Sequence, residues 1–154
     1  MANGDDVEIN KDVSIITAVA IASGKHIKGV GGVVTETTGL NAILRADGFG
    51  IPAITNVTVS DLDAIGSVDP LDDTNESVES YGVFSYNSLY LRIKGLRAAG
   101  LTGGAYVGQS RFAIVSDISA HDLVYHPNLV RGGYGVLTDL SLIHISEPTR
   151  LALI

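Results

Sequence analysis

Cysteine is absent from this 154-residue chain. No disulfide can staple it, and no thiolate can act as metal ligand or nucleophile. Aromatic residues are scarce at 6%. Basic residues are the minority charge, with 10 Lys and Arg against 17 Asp and Glu, a net of -7. A surface that tracks nucleic-acid phosphates wants clustered cations, so this balance argues against a direct nucleic-acid site. Long apolar runs are missing as well. The apolar stretch 13–22 (VSIITAVAIA) is about half the length that spans a bilayer, and no membrane partner is expected. The opening MANGDDVEIN is acidic, where a signal peptide needs a basic flank and an apolar segment. The N-glycosylation patterns at Asn56 and Asn75 are short and read as chance matches.

Hydrophobic residues make up 45% of the chain, enough for a core, and 18 glycines fall mostly in clusters between apolar runs. That pattern predicts a loop-rich, strand-containing protein. Residues 7–9 read as a short strand. Residues 13–22 alternate bulky β-branched with smaller side chains, which predicts one strand packed on both faces. Residues 27–37 continue the β pattern, and Gly29, Gly31 and Gly32 predict a bulge or hairpin. Residues 40–46 fit a helix or a strand, 54–59 a strand, and Ser60-Asp61 caps a short helix over 62–65. Residues 68–80 are polar and acidic and predict an exposed loop.

The second half reads differently. Leu89, Ile93, Leu96 and Ala99 fall at helical spacing between an Asn87/Ser88 cap and Gly100. A buried strand follows over 111–115, then a helix over 117–125 capped by Ser116 and stopped by Pro127. Residues 136–137 begin a further strand, and no internal repeat is evident. The expected class is α+β: a β-rich N-terminal half, then helix, strand and helix.

The densest polar group is Asp117, His121, Asp122 and His126. On a helix, Asp117 would share a face with His121, and Asp122 with His126. Carboxylate and imidazole suit a divalent metal or an acid–base pair. Helix-dipole placement of Asp117 and His126 accounts for the same residues, and the two faces are offset. His26 reads as a solvated turn residue. The glycine clusters at 29–32 and 100–104 match neither a P-loop nor a dinucleotide fingerprint. Ser116 and Ser119 precede His121 without a nucleophile elbow. Asp69, Asp72, Asp73, Glu76 and Glu79 lack the glycine of a calcium loop. No catalytic, cofactor-binding or metal residue is therefore assigned, and the chain is not expected to be an enzyme.

Residues 111–127, RFAIVSDISAHDLVYHP, resemble a segment of tailed-bacteriophage major capsid proteins. The likeness lies in the run Ala113-Ile114-Val115, the cap Ser116-Asp117 and the pair Asp122-Leu123, and extends over 88–137. Residues 88–99 would correspond to the family's spine helix and 129–137 to the turn leading back to its sheet. The resemblance implies a truncated capsid-type fold and a virion structural protein, assembled in the host cytoplasm into a shell with copies of itself. A different β-rich phage or surface interaction module is the alternative. A metal-dependent enzyme using Asp117, His121 and Asp122 is the second.

Residues 140–150, LSLIHISEPTR, resemble the in-frame translation of a transposon-end adapter used in sequencing libraries. The resemblance implies a gene fragment of environmental origin. Residues 1–139 are then expected to form one C-terminally truncated domain, and 140–154 a non-native tail. It removes His144 and Glu147 from any site.

Overall fold

The computed structural model describes residues 6–38, 42–47, 53–67, 80–123, 125–126, 131–132 and 134–139. The chain winds through three parallel sheets, adding one strand to each sheet per turn. The first turn holds β1 (Asp6–Ile9), β2 (Val13–Ile15) and β3 (Val19–Ala20). The second holds β4 (His26–Gly29), β5 (Val33–Glu36) and β6 (Ala42–Asp47). The third holds β7 (Ile54–Ser60), β8 (Asp63–Ile65) and β9 (Tyr81–Tyr86). The fourth holds β10 (Ser88–Lys94), β11 (Arg97–Ala99) and β12 (Gly103–Gly108). The fifth begins with β13 (Ile114–Ser116) and β14 (Ser119–His121). A small antiparallel pair follows, β15 (Tyr125–His126) with β16 (Arg131–Gly132), and β17 (Tyr134–Asp139) completes the turn. The first sheet runs β1-β4-β7-β10-β13, the second β14-β11-β8-β5-β2 and the third β17-β12-β9-β6-β3. This is a parallel β-helix of five rungs, a solenoid in which each rung contacts its neighbours.

Each strand alternates, and its inward side chains line up with those of the next rung. In the first sheet, register stacks Val7, Ile27, Val59, Ile93 and Val115. In the second, Val13, Val34, Ala64, Ala98 and Ala120 form the matching column. β-branched side chains suit such columns, because each packs flat against its equivalent one strand spacing away.

The corner between the first and second sheets is built the same way in three rungs. Asp61, Gly95 and Asp117 hold left-handed backbone, with φ of 53°, 69° and 54°. Asp and Gly are residues that accept this region. The next residue turns inward: Leu62 and Leu96 are fully buried, and Ile118 packs against the core. The hydrogen-bond ladder continues around the bend. Asp61 N–H donates to the Lys94 carbonyl at 2.8 Å, and Arg97 N–H to that of Leu62 at 2.8 Å. Across the second sheet Arg97 pairs with Asp63, its Nη2 2.7 Å from Oδ2. Asp63 raises the Arg97 guanidinium above its ordinary value by hydrogen bonding and charge. Arg97 is more than half exposed, so solvent screens the pair. Asp63→Asn is expected to change the unfolding free energy by under about 1 kcal/mol in urea titration.

The α+β expectation is overturned: every described element is a strand. The helix expected over 88–99 is β10, a corner at Gly95, and β11. The helix expected over 117–125 is a corner at Asp117 followed by β14 and the start of β15. The short helix over 62–65 is a buried corner leucine and β8. Residues 13–22 are two strands in different sheets, separated by a corner. The glycines at 29–32 mark a corner between β4 and β5, which lie in different sheets and form no hairpin. A structural repeat is present after all. The strands expected over 7–9 and 54–59 are present as β1 and β7, and 40–46, which fits a helix or a strand, contains β6. Residues 68–79 and 140–154 lie outside the described residues, and with them the acidic loop's carboxylates, His144 and Glu147.

Candidate functional site

The first sheet carries a second column of left-handed residues, just before or within its strands. Register places Gly24, Asn56, Tyr90 and Phe112 at one position in four successive rungs. Their φ values are 77°, 56°, 61° and 56°. Gly and Asn are at home there, but an aromatic residue is not: left-handed backbone costs an L-residue roughly 1–2 kcal/mol. The geometry is held by neighbours on both sides. Tyr90 N–H donates to the Arg111 carbonyl at 3.0 Å, and Arg111 N–H to the Ser88 carbonyl at 2.8 Å. Buried Leu91 and Ala113 follow the two aromatics and anchor them to the core.

The rings that result are exposed and stacked. Tyr90 and Phe112 are 53% and 59% accessible, with ring centroids 5.1 Å apart and planes 10° from parallel. That separation is close to the spacing between strands, so the rings stack along the solenoid axis. Each covers one face of the other. The second face of Tyr90 points toward the third rung, where the equivalent position holds Asn56; in the second rung it holds Gly24.

From these rings the outward positions of the first sheet run in two further columns. One holds Asp6, His26, Thr58, Arg92 and Ile114; the other holds Glu8, Lys28, Ser60, Lys94 and Ser116. The face is graded in charge. Its first rung is acidic, and Asp6 lies 3.8 Å from His26 Nδ1. Its third rung offers hydroxyls. Its fourth is cationic: Arg92 and Lys94 are exposed and form no ion pair among the described residues. Exposed Arg111 adds a cation beside Phe112.

The third sheet has its own ladder, in which Phe84 stacks on Tyr106 at 4.8 Å and the Arg45 guanidinium lies 5.3 Å from the Phe84 centroid. This one is half-buried, and Arg45 is engaged by Asp47 at 2.6 Å. It serves the packing of the sheet.

The residues singled out in the sequence are dispersed. Asp117 forms a corner, while His121 ends β14. Without a helix, four-residue spacing no longer places them on one face. His121 Nδ1 lies 2.9 Å from its neighbour Asp122 Oδ2, both well exposed. His126 pairs through its backbone with Arg131. Among the described residues no three metal-ligating side chains cluster. Ser116 and Ser119 flank the Asp117 corner in different sheets. The glycine clusters serve close approach: Gly32 N–H donates to the Ile9 carbonyl at 3.2 Å and Gly103 N–H to that of Ser80 at 3.0 Å. Those amides are committed to neighbouring rungs.

Nothing in the sequence pairs Tyr90 with Phe112, because they are brought together by register alone. Among the described residues no helix is long and apolar enough to cross a membrane. Comparison of the chain with protein-family models, with curated proteins and with solved structures finds no match.

Proposed function

We propose that this protein is a β-helical interaction module that binds an extended ligand across the outer face of its first sheet. The observation that carries this reading is the left-handed backbone under Tyr90 and Phe112. Gly24 and Asn56 occupy the same position at lower cost, so the backbone gives no reason for aromatics there. Strain at an exposed position points to a role outside folding. Exposed stacked rings beside unpaired cations are the furniture of recognition. A long, flat face on a solenoid suits a polymer, since each rung repeats a docking position. This is the alternative class of β-rich surface interaction modules. The spine helix that the capsid resemblance implies over 88–99 is β10, a corner and β11, and the helix implied after Ser116 begins as a corner and β14.

The test separates stability from binding. Asn is the residue this column already uses in the third rung. In a Tyr90→Asn/Phe112→Asn variant, relief of backbone strain, roughly 1 kcal/mol per site, offsets loss of the ring stack, about 0.5–1.5 kcal/mol. Urea unfolding should therefore fall within about 1 kcal/mol of the parent, since the remaining terms nearly cancel. On an array of polysaccharides and extended peptides, ligands held by the parent should weaken at least about tenfold in the variant, as expected when central aromatic anchors go. Equal capture by both proteins, or none by the parent, would defeat the reading.

A further inference from the structure

We infer that the ligand of this face is an acidic polysaccharide, a chain of uronate sugars lying along the third and fourth rungs; the inference rests on the interaction-module reading. Three features of the face select that chemistry. First, the free side of Tyr90 looks over Asn56, a small polar residue, so a flat ring can lie against it. A pyranose presents an apolar face of C–H groups that suits an aromatic ring, while its rim carries hydroxyls. Second, Asn56, Thr58 and Ser60 follow one another at alternate positions of β7, about 7 Å apart along the strand. An amide and two hydroxyls at that interval can donate to and accept from the hydroxyls of successive sugars. Third, Arg92 and Lys94 flank the same line one rung away, about 5 Å across, at the same interval as Thr58 and Ser60. They offer a repeated positive charge alongside a repeated polar floor.

The charge gradient sets the position. Asp6 and Glu8 stand beside His26 and Lys28 in the first two rungs, and Asp61, the corner residue after β7, closes the far end of the third with its carboxylate over Gly95. An anionic chain is therefore repelled from the first rung and drawn to the fourth, where Arg92 and Lys94 have no acidic partner among the described residues. Arg111 extends that side into the fifth rung. A nucleic acid shares the need for rings and cations. The net charge of -7 opposes any polyanion at long range, so the local cations of the fourth rung have to hold either chain; the amide and hydroxyl floor of the third rung favours the sugar, whose rim carries several hydroxyls per unit.

The test uses the full chain in equilibrium binding at low and moderate salt. The probes are oligomers of galacturonate, guluronate/mannuronate and glucuronate-containing glycan, the methyl-esterified galacturonate oligomer, and single-stranded oligonucleotides. At least one acidic oligomer should bind, with its neutral ester at least tenfold weaker. Arg92→Gln/Lys94→Gln should weaken the acidic oligomer about tenfold and leave the neutral ester unchanged. Tyr90→Asn should weaken both. Equal binding of acid and ester, lost in Tyr90→Asn, would overturn the acidic assignment and keep the interaction-module reading. Binding indifferent to Tyr90→Asn would overturn both. Preference for oligonucleotides, or binding to none of the acidic oligomers, would overturn the inference.

Discussion

Replacing Glu36 with alanine is expected to destabilise the fold by about 3–5 kcal/mol, since hydrogen bonds to a charged group contribute about 1.5–3 kcal/mol each and orphaned donors cost more. Glu36 closes β5 and is fully buried. Its Oε1 accepts from the Ser67 amide at 2.8 Å and the Ser67 hydroxyl at 2.8 Å. Its Oε2 accepts from the Thr38 amide at 3.0 Å. Ser67 belongs to the next rung, just past β8, so this carboxylate pins two corners together where the ladder between strands has ended. Alanine would leave two backbone N–H groups and a hydroxyl facing a cavity. Glu36→Gln, which keeps one oxygen and brings an N–H₂ among donors, should fall between alanine and the parent. Urea titration checks both, with the midpoint lowered and the slope nearly unchanged. A loss under 1 kcal/mol for the alanine variant would mean that water serves those donors equally well.

The strands were legible wherever alternation was undisturbed. Ile54–Ser60 shows it plainly, and the structure places β7 there. The error over 88–99 has a specific cause. SLYLRIK alternates, with Leu89, Leu91 and Ile93 against Tyr90, Arg92 and Lys94. The same segment also satisfies a helical stripe through Leu89, Ile93 and Leu96. Gly95 should have decided between them. In a helix interior it is a cost, whereas at φ 69° it is the corner the solenoid needs. Asp117 misled in the same way, since a residue suited to capping a helix is also suited to left-handed backbone.

The repeat was hidden by unequal rungs. Val7, Ile27, Val59, Ile93 and Val115 occupy one column, yet their intervals in the sequence differ at every step. Short corners such as Gly95-Leu96 alternate with long excursions between β8 and β9 and between β14 and β17. A fixed-period search cannot find such a repeat. The candidate site is less legible still. Tyr90 and Phe112 become neighbours only through the register of β10 and β13, and neither residue signals its left-handed backbone. The polar cluster that drew notice, Asp117 to His126, owed its apparent geometry to a helix that does not form. What the sequence does carry is local: a Tyr, an Arg and a Lys at alternate positions of one strand.

Gly29→Ala is the other substitution with a large expected effect, about 3 kcal/mol, at the upper end for overpacking because the obstacle is main chain. A Cβ at Gly29 would overlap the Asp61 carbonyl oxygen and lie 2.8 Å from its carbon. Those atoms form the left-handed corner of the next rung, which is tied onward by the Asp61 N–H bond to Lys94. The corner cannot retreat without parting from the fourth rung, and in a solenoid each interface helps hold the next. Gly24→Ala supplies the contrast. Gly24 has φ of 77° and nothing within 4 Å of a built Cβ, so its substitution costs the conformational term alone, roughly 1–2 kcal/mol. Gly29→Ala should therefore lower the urea midpoint further than Gly24→Ala, although only Gly24 sits in the strained region. Equal losses would mean that the second and third rungs part at this corner without resistance, and that the stack draws its cohesion from the strands instead.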